Sequence, residues 1–382
     1  MTGFEPTRAA ALHRLAAFVP DAGRSYGVKR NHDLAGGAPS EQPAVSQLSP
    51  YLRHRLIAER EVIDAVLSRH APQEAMPFLQ QLFWRSYFKG WLEQHPSVWN
   101  SYQTGLDTAR QQSHDGYNAA ISGRSGIACF DHWCRQLCDT GYLHNHARLW
   151  FASIWIFSLR LPWQLGADLF LRHLADADPA SNTLSWRWVA GLHTKGKHYL
   201  ATADNIARFT DGRFHPVGEL DETAPPLTED DDHTLAACPT PMATPAARTL
   251  WLITEEDSLS PPAGLKVAGV LGIASHDASD FAQQAVRNSA AAAGGVYYLG
   301  HCWSTAILRA AETAGVRDVA CAYLPVGPTA DGFAATHQRL AAAGLRLHLH
   351  QRTYDRLVWP HATKGYFKLK KQIPSLIDGL AQ

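Results

Sequence analysis

The spacing of apolar residues changes once along this chain, and that change sets the main limit on its fold. Between 49 and 215 apolar residues recur at helical spacing, and Gly141 and Pro162 interrupt the pattern where helices should end. From 249 onward, short apolar runs alternate with amphipathic helical stretches, which is the order of βαβ units. We therefore expect a mainly α protein with a smaller C-terminal α/β domain built on a parallel, Rossmann-like sheet.

The same pattern gives bounds for the elements of the C-terminal domain. Its strands are expected at 249–254, 266–273, 296–299, 318–323 and 345–350. Its helices are expected at about 279–293, 303–314 and 330–343. The sequence contains neither GxGxxG nor GxxxxGK followed by Ser or Thr, so no phosphate-binding first turn is predicted for this sheet.

A segment rich in acids and prolines separates the two patterns. Positions 219–232 hold seven acidic residues and no lysine or arginine, and the surrounding stretch 216–248 contains several prolines. Such a composition is typical of a linker. We therefore expect an N-terminal extension at 1–45, a helical domain at 46–215, a linker at 216–248 and an α/β domain at 249–382.

The composition argues against several classes of protein. The formal net charge is zero, so no overall basic field favours nucleic acid, although a local basic cleft is allowed. The 6 cysteines form no CxxC pair and the 20 histidines no HExxH, so we expect no metal site. Without a signal peptide pattern or a long apolar span, the expected location is cytoplasmic, with no membrane contact. The 12 tryptophans fit either bulky core filling or a cofactor pocket with a redox chain.

Residues suited to chemistry concentrate between Asp176 and Trp188. Asp176, Asp178 and Asn182 are followed by Trp186 and Trp188. Buried acids and amides cost free energy unless they are paired, so an ordinary core segment has no use for them. The stretch therefore predicts a loop that enters a helix and holds a planar, hydrogen-bonding group.

This stretch resembles the flavin loop of the photolyase/cryptochrome family, and three further segments resemble other motifs of that family. They are Ser46–Arg53, Gln81–Tyr87 and Gly141–Arg148. The resemblance covers roughly 26–215 and implies a photolyase-type helical domain that binds FAD, with any antenna chromophore unknown. The family normally carries an α/β domain before the flavin domain. Here the α/β domain follows, so the order is similar to that of a short or permuted member.

The resemblance also implies cofactor-binding residues. Asn182 is expected beside N5 of the flavin, and Arg148 is expected to pair with Asp176 over the ring. Phosphate contacts are implied for serines at a helix N-terminus and for an arginine. The implied set is Tyr26, Ser46, Leu48, Ser49, Arg85, Asn145, Arg148, Asp176, Asp178 and Asn182.

Electron transfer is implied for tryptophans. Trp186 would be the proximal electron donor, and Trp163 lies at the spacing of the family's second tryptophan. The implied catalytic residues are therefore Trp186, Trp163 and Asn182. A core position at an interface is an equally good interpretation of Trp163. The third relay tryptophan is left open between Trp99, Trp150 and Trp155.

Substrate contacts are implied for a further group of side chains. Trp84 and Trp188 would stack on flipped-out bases. Gln81 stands where the family usually has Glu and also occurs in the branch that acts on (6-4) photoproducts, whereas Leu149 agrees with the pocket of dimer photolyases. The implied set is Gln81, Trp84, Tyr142, Leu149, Arg187 and Trp188.

Two basic groups each have two interpretations. The C-terminal stretch 359–371 mixes basic and aromatic residues, and it fits either a nucleic-acid contact or a closing segment docked on the α/β domain. The other group fits either a phosphate track or solvated surface charges, and it comprises Arg53, Arg55, Lys89, Lys195, Lys197 and His198.

The resemblance implies an enzyme, a deoxyribodipyrimidine photolyase, which is a carbon–carbon lyase. In such an enzyme reduced FAD, excited by blue or near-UV light, donates an electron to a flipped cyclobutane pyrimidine dimer in UV-damaged DNA. The alternatives are a cryptochrome-like photoreceptor without repair and an enzyme that repairs (6-4) photoproducts. A third alternative is a flavin-binding structural protein. The resemblance implies no oligomeric state.

Overall fold

The computed structural model describes residues 3–34 and 45–381. Residues 1, 2 and 35–44 of the expected N-terminal extension, and Gln382, lie outside the described residues. The helices are, in chain order, α1 (Arg8–Phe18), α2 (Arg24–Lys29), α3 (Ser49–Arg53), α4 (Glu59–Leu67), α5 (Pro72–Gln94), α6 (Ser97–Arg110), α7 (Tyr117–Ile121), α8 (Ala128–Thr140), α9 (Asn145–Ser153), α10 (Trp163–His173), α11 (Pro179–Ala190), α12 (Ala203–Phe209), α13 (Asp280–Ala292), α14 (Trp303–Ala314), α15 (Pro328–Ala342), α16 (Thr353–Val358), α17 (Tyr366–Lys370) and α18 (Ile373–Ala381).

The strands of the described part form one parallel sheet. They are β1 (Thr249–Ile253), β2 (Val267–Ala274), β3 (Val296–Leu299), β4 (Asp318–Ala322) and β5 (Arg346–His350). Their order across the sheet is β3-β2-β1-β4-β5, and every neighbouring pair is parallel. The expected mainly helical fold with a C-terminal α/β part is confirmed, and the strands and the helices between them lie within a few positions of their predicted bounds.

The sheet could be predicted because its central strands are buried on both faces. Every residue of β1 and β4 is buried, so both strands read as short apolar runs. On one face Leu250 and Leu252 pack with Trp303 of α14. On the other face Trp251 packs with Val286 of α13. The period-2 alternation of β1 thus assigns its side chains to two helical layers.

The helices before the sheet end where the sequence predicts. Gly141 follows α8 with a φ of 67°, a left-handed conformation that glycine adopts without the strain of a Cβ. After α9 the chain passes through a π-helical segment, Ile154–Ser158, and α10 begins directly after Pro162. These breaks fix the directions of α9, α10 and α11, which carry most of the candidate site.

Contacts divide the chain into two compact units. The first unit comprises Met1–Gly3, Asp21–Gln47 and Ser97–Thr234, and the second comprises Phe4–Pro20, Leu48–Pro96 and Leu235–Gln382. The expected linker contains no helix or strand. It is divided between the units, with residues up to Thr234 in the first unit and residues from Leu235 in the second. The domain bounds inferred from the sequence stay a prediction, because they follow composition rather than contacts.

None of the helices in the described ranges has both the length and the apolar character needed to cross a membrane.

Candidate functional site

The helix α11 is fixed at its start by one of the two predicted acids. Asp178 is buried, and its Oδ1 accepts a hydrogen bond from the backbone N–H of Ser181 at 2.8 Å. Pro179 occupies the first turn, where its missing N–H costs nothing. This cap therefore fixes the residue at which α11 begins, and with it the directions in which the side chains of the helix project.

An ion pair lies beside the start of this helix. Arg148 of α9 binds both carboxylate oxygens of Asp176, with distances of 3.1 Å and 3.0 Å. Arg148 also donates from Nε to the carbonyl oxygen of Leu143 at 3.0 Å, and its guanidinium carbon lies 5.9 Å from the ring centroid of Tyr142. The pairing that the sequence predicted is present, and it holds a positive charge in one place. Its role at a flavin stays a prediction.

Asn182 is oriented by a single bond to the neighbouring helix. Its Nδ2 donates to the carbonyl oxygen of Ala167 in α10 at 2.8 Å. The side-chain oxygen of a bound amide is then the acceptor that remains for a further partner. The half-buried position of Asn182 suits a residue that meets a ligand.

Four buried polar atoms of α11 have no hydrogen-bond partner among the described residues. They are Oγ of Ser181, Oγ1 of Thr183, Nε1 of Trp186 and Nε of Arg187. Buried polar atoms in proteins are nearly always paired, and an unpaired one costs about 1–3 kcal/mol. Four such atoms on one helix are therefore consistent with a polar group bound from outside the chain.

The predicted electron donor lies in a cluster of buried rings. The Trp186 ring centroid is 6.3 Å from that of Trp155, and the two planes are nearly perpendicular at 86°. Trp163 instead lies 5.6 Å from Tyr102, whose ring is 5.2 Å from Trp99. Of the three tryptophans left open by the sequence, Trp155 thus contacts Trp186 directly, and Trp99 is joined to Trp163 through a tyrosine.

The third of those tryptophans lies in a different set of contacts. Trp150 stacks on Trp133 with a centroid distance of 5.3 Å and on His146 at 4.3 Å. Its indole N–H donates to the side-chain oxygen of Asn205 at 3.0 Å. These contacts give Trp150 a packing role of its own.

Three of the predicted substrate contacts already have partners within the first unit. Trp188 stacks on Tyr199 at 5.9 Å, and the buried Arg187 donates to both carboxylate oxygens of Glu229. Tyr142 is buried beneath the guanidinium of Arg148. Leu149 is half-buried in α9. The assignment of these residues to a substrate stays a prediction.

The partner of Arg187 belongs to the acidic segment. Within this segment the N–H of Leu227 donates to the carbonyl oxygen of Ala190 at 2.9 Å, and the exposed Asp232 accepts from Lys195 at 2.8 Å. Residues 227–232 therefore lie beside the C-terminal end of α11 and are held there by main-chain and charged contacts. The linker composition alone gave no sign of this.

The remaining predicted cofactor residues of the first unit differ in exposure. Tyr26 is buried, and burial raises the pKa of its phenol to about 12, so it stays a protonated donor at neutral pH. Ser46 is half-buried, and Asn145, the first residue of α9, is exposed. Each keeps a polar group suited to a phosphate or an amide edge.

The second unit holds the other five predicted residues. Leu48 is buried and is the N-cap of α3, so Ser49 is the first residue of this helix. Trp84 of α5 stacks on Tyr366, with ring centroids 3.5 Å apart and an interplanar angle of 12°. Arg85 lies 3.6 Å from a carboxylate oxygen of Glu59, and Gln81 is half-buried.

Three of the cations expected on the surface are buried ion-pair partners. They therefore form neither a phosphate track nor solvated surface charges, and both interpretations are wrong for them. Arg53, which is 2% exposed, binds both carboxylate oxygens of Glu256 at 2.7 Å and 2.8 Å. Arg55 binds Asp355 at 2.6 Å and 2.7 Å. Lys89 lies 3.7 Å from Glu256. Their carboxylates follow β1 and β5, so distant parts of the sequence supply the pairs. Lys195 remains exposed and pairs with Asp232.

Comparison with known proteins assigns the helical part of the chain. Residues 78–217 match the family model described as the FAD binding domain of DNA photolyase. This part of the chain is similar to the FAD-binding domain of the photolyase/cryptochrome family. FAD is the cofactor that this match supports, and the matched range includes Arg148, Asp176 and the whole of α11. The unpartnered polar atoms of α11 fit such a group.

Curated photolyase/cryptochrome relatives align with about half of this chain. The deoxyribodipyrimidine photo-lyase of Streptomyces griseus is 34% identical over 163 residues, which cover 42% of this chain and 34% of the relative. That of Agrobacterium fabrum is 32% identical over 193 residues, covering 49% and 38%. The chain thus spans between a third and a half of the length of these relatives. A crystal structure of a bacterial class III photolyase from Agrobacterium tumefaciens shares 28% identity and a TM-score of 0.44, covering 54% of this chain and 45% of that one.

Sequence reasoning named Trp155 only as one of three candidates for a relay tryptophan, and it missed the pairing of Glu229. Trp155 lay within an apolar helix and carried no signal that it would contact Trp186. Glu229 belonged to a run of acids without neighbouring bases, and that lack of local partners was the one available sign that a distant cation would pair with it. Among the described residues, no group of three or more His, Cys, Asp or Glu is arranged to hold a metal ion.

Proposed function

We propose that this chain is a deoxyribodipyrimidine photolyase that opens cyclobutane pyrimidine dimers in UV-damaged DNA by light-driven electron transfer. Curated relatives carry that enzyme name, and the FAD-binding match includes the candidate residues from Gln81 onward. The observation that carries the proposal is the group around α11, where the Arg148–Asp176 pair, the Asn182 amide and the unpartnered Trp186 indole occur together in one unit. An enzyme of this kind would work in the cytoplasm, on the cell's DNA.

The chemistry is divided between the cofactor and the protein. When bound, reduced FAD supplies an electron to the dimer under blue or near-UV light and regains it after both carbon–carbon bonds of the cyclobutane ring have opened. The reaction has no net oxidation, because the electron returns. The protein's share is to hold the cofactor, to position the lesion and to keep water away.

The residues around α11 are suited to holding a flavin. Arg148, fixed by Asp176 and by the Leu143 carbonyl, offers a positive charge that stabilises negative charge nearby without reorganisation. The Asn182 side-chain oxygen is a directed acceptor. The other residues that the resemblance implies would hold the ring edges and the phosphates, and they are Tyr26, Ser46, Leu48, Ser49, Arg85, Asn145 and Asp178.

The proposed lesion is the dimer rather than the (6-4) photoproduct. Leu149 follows Arg148 in α9 and has no group that donates or accepts a proton. Gln81 donates and accepts hydrogen bonds but is not acidic. Gln81 favours the (6-4) branch and Leu149 favours the dimer. Leu149 carries more weight, because a side chain without an acid or a base removes proton-transfer chemistry at that position.

Repair of a defined thymine-dimer oligonucleotide tests the proposal. The FAD-loaded chain would be reduced chemically and mixed with the oligonucleotide in blue light and in the dark, and the dimer would be quantified by mass spectrometry. We expect loss of the dimer in light alone. Dimers that stay intact under illumination of the fully reduced protein would rule out this activity, and the same assay on a (6-4) oligonucleotide would then follow.

The tryptophan array gives a separate prediction. Trp186→Phe should largely abolish photoreduction of oxidised, FAD-loaded protein, followed by its absorbance, because an aromatic ring that is hard to oxidise replaces the proximal donor. The same variant, when reduced chemically, should still repair dimers. Trp188→Phe is the matched control and should photoreduce at the wild-type rate. Equal photoreduction by wild type and Trp186→Phe would remove Trp186 from the proposed path.

A cryptochrome-like photoreceptor is the second candidate. The observation in its favour is that two predicted lesion contacts have internal partners, since Trp84 stacks on Tyr366 and Arg187 pairs with Glu229. This function predicts photoreduction that depends on Trp186, together with equal affinity for damaged and undamaged DNA. A measured preference for dimer-containing DNA would count against it.

A further inference from the structure

The C-terminal segment Arg356–Lys371 is firmly docked through one face. The main chain of Trp359 approaches α5 at Gly90, where a Cβ would lie 2.8 Å from the Trp359 Cα, so a side chain at position 90 would block the contact. The carbonyl oxygen of Trp359 accepts from Gln94 at 3.0 Å. Tyr366 stacks on Trp84 and donates its hydroxyl to the carbonyl oxygen of Gln80 at 2.7 Å. The segment is thus docked, but these contacts join it to α5 of the expected helical domain rather than to the α/β domain on which a closing segment was expected.

The opposite face of this segment carries charge and one aromatic ring. Lys364, Phe367, Lys368 and Lys371 are exposed. Phe367 and Lys368 lie in α17, and Lys364 and Lys371 flank this helix. Tyr366 and Leu369, between them, are buried. The segment thus has buried residues through which it is docked and exposed residues beside them.

The charge of the free face is uncompensated. From Arg356 to Ile377 the sequence contains no Asp or Glu. No ion pair joins Lys364, Lys368 or Lys371 to another of the described residues. Because the whole chain has a formal net charge of zero, this concentration of cations is a local feature rather than part of a general basic field.

Phe367 adds an apolar ring to the cationic face. It is 72% exposed and is the one aromatic residue among the exposed large hydrophobic side chains of the described ranges. Leaving a phenyl ring in water forgoes about 1.5–3 kcal/mol of burial. A ring surrounded by lysines suits a partner that is both anionic and planar.

We propose that Lys364, Phe367, Lys368 and Lys371 form a binding surface for single-stranded nucleic acid. The lysines contact backbone phosphates, and Phe367 stacks on an unpaired base. A double helix would meet the charges but has no free base for the ring, so the single strand is the occupant that uses both features. This surface lies within the second unit and does not depend on the proposed light-driven reaction.

Binding of an undamaged oligonucleotide in the dark tests the surface. The FAD-loaded full chain would be titrated against a fluorescein-labelled oligo-dT of about ten nucleotides, with anisotropy as the readout. Phe367→Ala should weaken binding roughly fivefold or more, because stacking of one base on an aromatic ring contributes about 1–3 kcal/mol. Phe367→Tyr should bind like wild type. Any affinity that comes from other surfaces is the same in all variants. The difference in affinity between variants therefore shows whether Phe367 contributes to binding.

Salt dependence separates the lysines from the ring. The triple variant Lys364→Gln, Lys368→Gln, Lys371→Gln should lower the slope of log affinity against log salt by about 2, since each phosphate contact to a single strand contributes about 0.7. Lys266→Gln, an exposed lysine outside this surface, is the matched control and should leave the slope unchanged. Unfolding midpoints should match wild type throughout, because the substituted side chains are exposed.

Three results would overturn the proposal. The first is a Phe367→Ala variant with wild-type affinity. The second is duplex binding as tight as single-strand binding. The third is release of the oligonucleotide by phosphatidylserine vesicles at matched phosphate concentration, which would make a lipid surface the better partner. Dimer repair would be measured separately, so failure of this surface and failure of the lyase are distinguishable.

Discussion

Trp186 owes its position to a glycine on the neighbouring helix. A Cβ at Gly166 of α10 would lie 2.3 Å from Cη2 of Trp186 and 3.0 Å from Cε2 of Trp155. Neither indole can yield easily, because both rings are buried among other aromatic side chains. The absence of a side chain at 166 is therefore what lets α10 and α11 approach around the proposed electron donor.

Gly166→Ala should destabilise the protein by about 1–3 kcal/mol, which is typical of overpacking in a filled core. The free energy of unfolding from urea titration is the measurement. Gly105→Ala in α6 is the control, since its Cβ would meet the mobile end of the Gln164 side chain. That variant should be close to neutral, helped by the better helix propensity of Ala. Equal losses in both variants would show that the Trp186 contact is not the cause.

Residue-scale features were predictable where the signal is local. Gly141 ends α8 as its local sequence predicts, whereas the Arg148–Asp176 pair was implied by the resemblance and the capping role of Asp178 was not predicted. The stacking of Trp84 on Tyr366 was not predictable, because the two rings are separated by most of the sequence and nothing near either one indicates the other. The same distance hid the partners of Arg53 and Arg55.

At the scale of elements, the acidic segment is a structural part of the first unit. Besides the Arg187–Glu229 pair, its Glu222 accepts from the N–H of Ala203 at 2.8 Å, and the N–H of Asp221 donates to Ser158 at 3.0 Å. Contacts at several points along its length fix the segment without a helix or strand.

Glu229→Gln should loosen this segment. Removal of the carboxylate leaves the buried Arg187 charge without compensation, and we expect a loss of about 1–3 kcal/mol, tempered by the partial exposure of Glu229. Limited proteolysis should cut faster within 219–234. Asp232→Asn removes an exposed pair and should change neither stability nor cleavage. Wild-type resistance to protease in Glu229→Gln would show that the main-chain contacts alone hold the segment.

The sheet was the most predictable element, and the acidic segment the least. Strands buried on both faces, such as β1 and β4, are apolar after their first residue, so short apolar runs in the sequence identify them. A segment without regular structure has no periodicity to reveal its contacts. Its composition is typical of a linker, and only the structure shows that α11, α12 and the π-helical segment provide partners for it.

At the scale of the whole molecule, the second unit joins pieces that are far apart in sequence. The buried Glu93, near the end of α5, accepts from the hydroxyl of Tyr323 at 2.7 Å and from the N–H of Val326 at 2.6 Å. Burial raises the pKa of this carboxyl to about 7, and the two hydrogen bonds offset only part of that rise. We therefore expect the packing of α5 in the second unit to depend on pH.

Glu93→Gln should change the pH dependence of stability. The folded pKa lies above the ordinary carboxyl value, so the native state holds more protons, and its stability falls as pH rises between about 4.5 and 7. In the variant this fall should shrink by up to about 3 kcal/mol, the equivalent of the pKa difference. Unfolding free energies at pH 5 and pH 8 measure it.

The exposed Glu312→Gln is the control for this experiment and should keep the wild-type pH dependence. All other titrating groups are common to the three proteins, so differences between them isolate Glu93. Identical profiles for wild type and Glu93→Gln would mean that the carboxyl is ionised throughout this pH range.

The separation of Arg53 from its carboxylate has a consequence for synthesis of the chain. Glu256 lies 203 positions further along. At about 5–20 residues per second, the ribosome supplies the carboxylate roughly 10–40 s after the arginine. During that interval α3 and α5 leave the exit tunnel with their cations unpaired and their apolar faces uncovered. The nascent chain would thus be a client for chaperones until the last strand has been made, and a product truncated before β1 would be recognised by proteases.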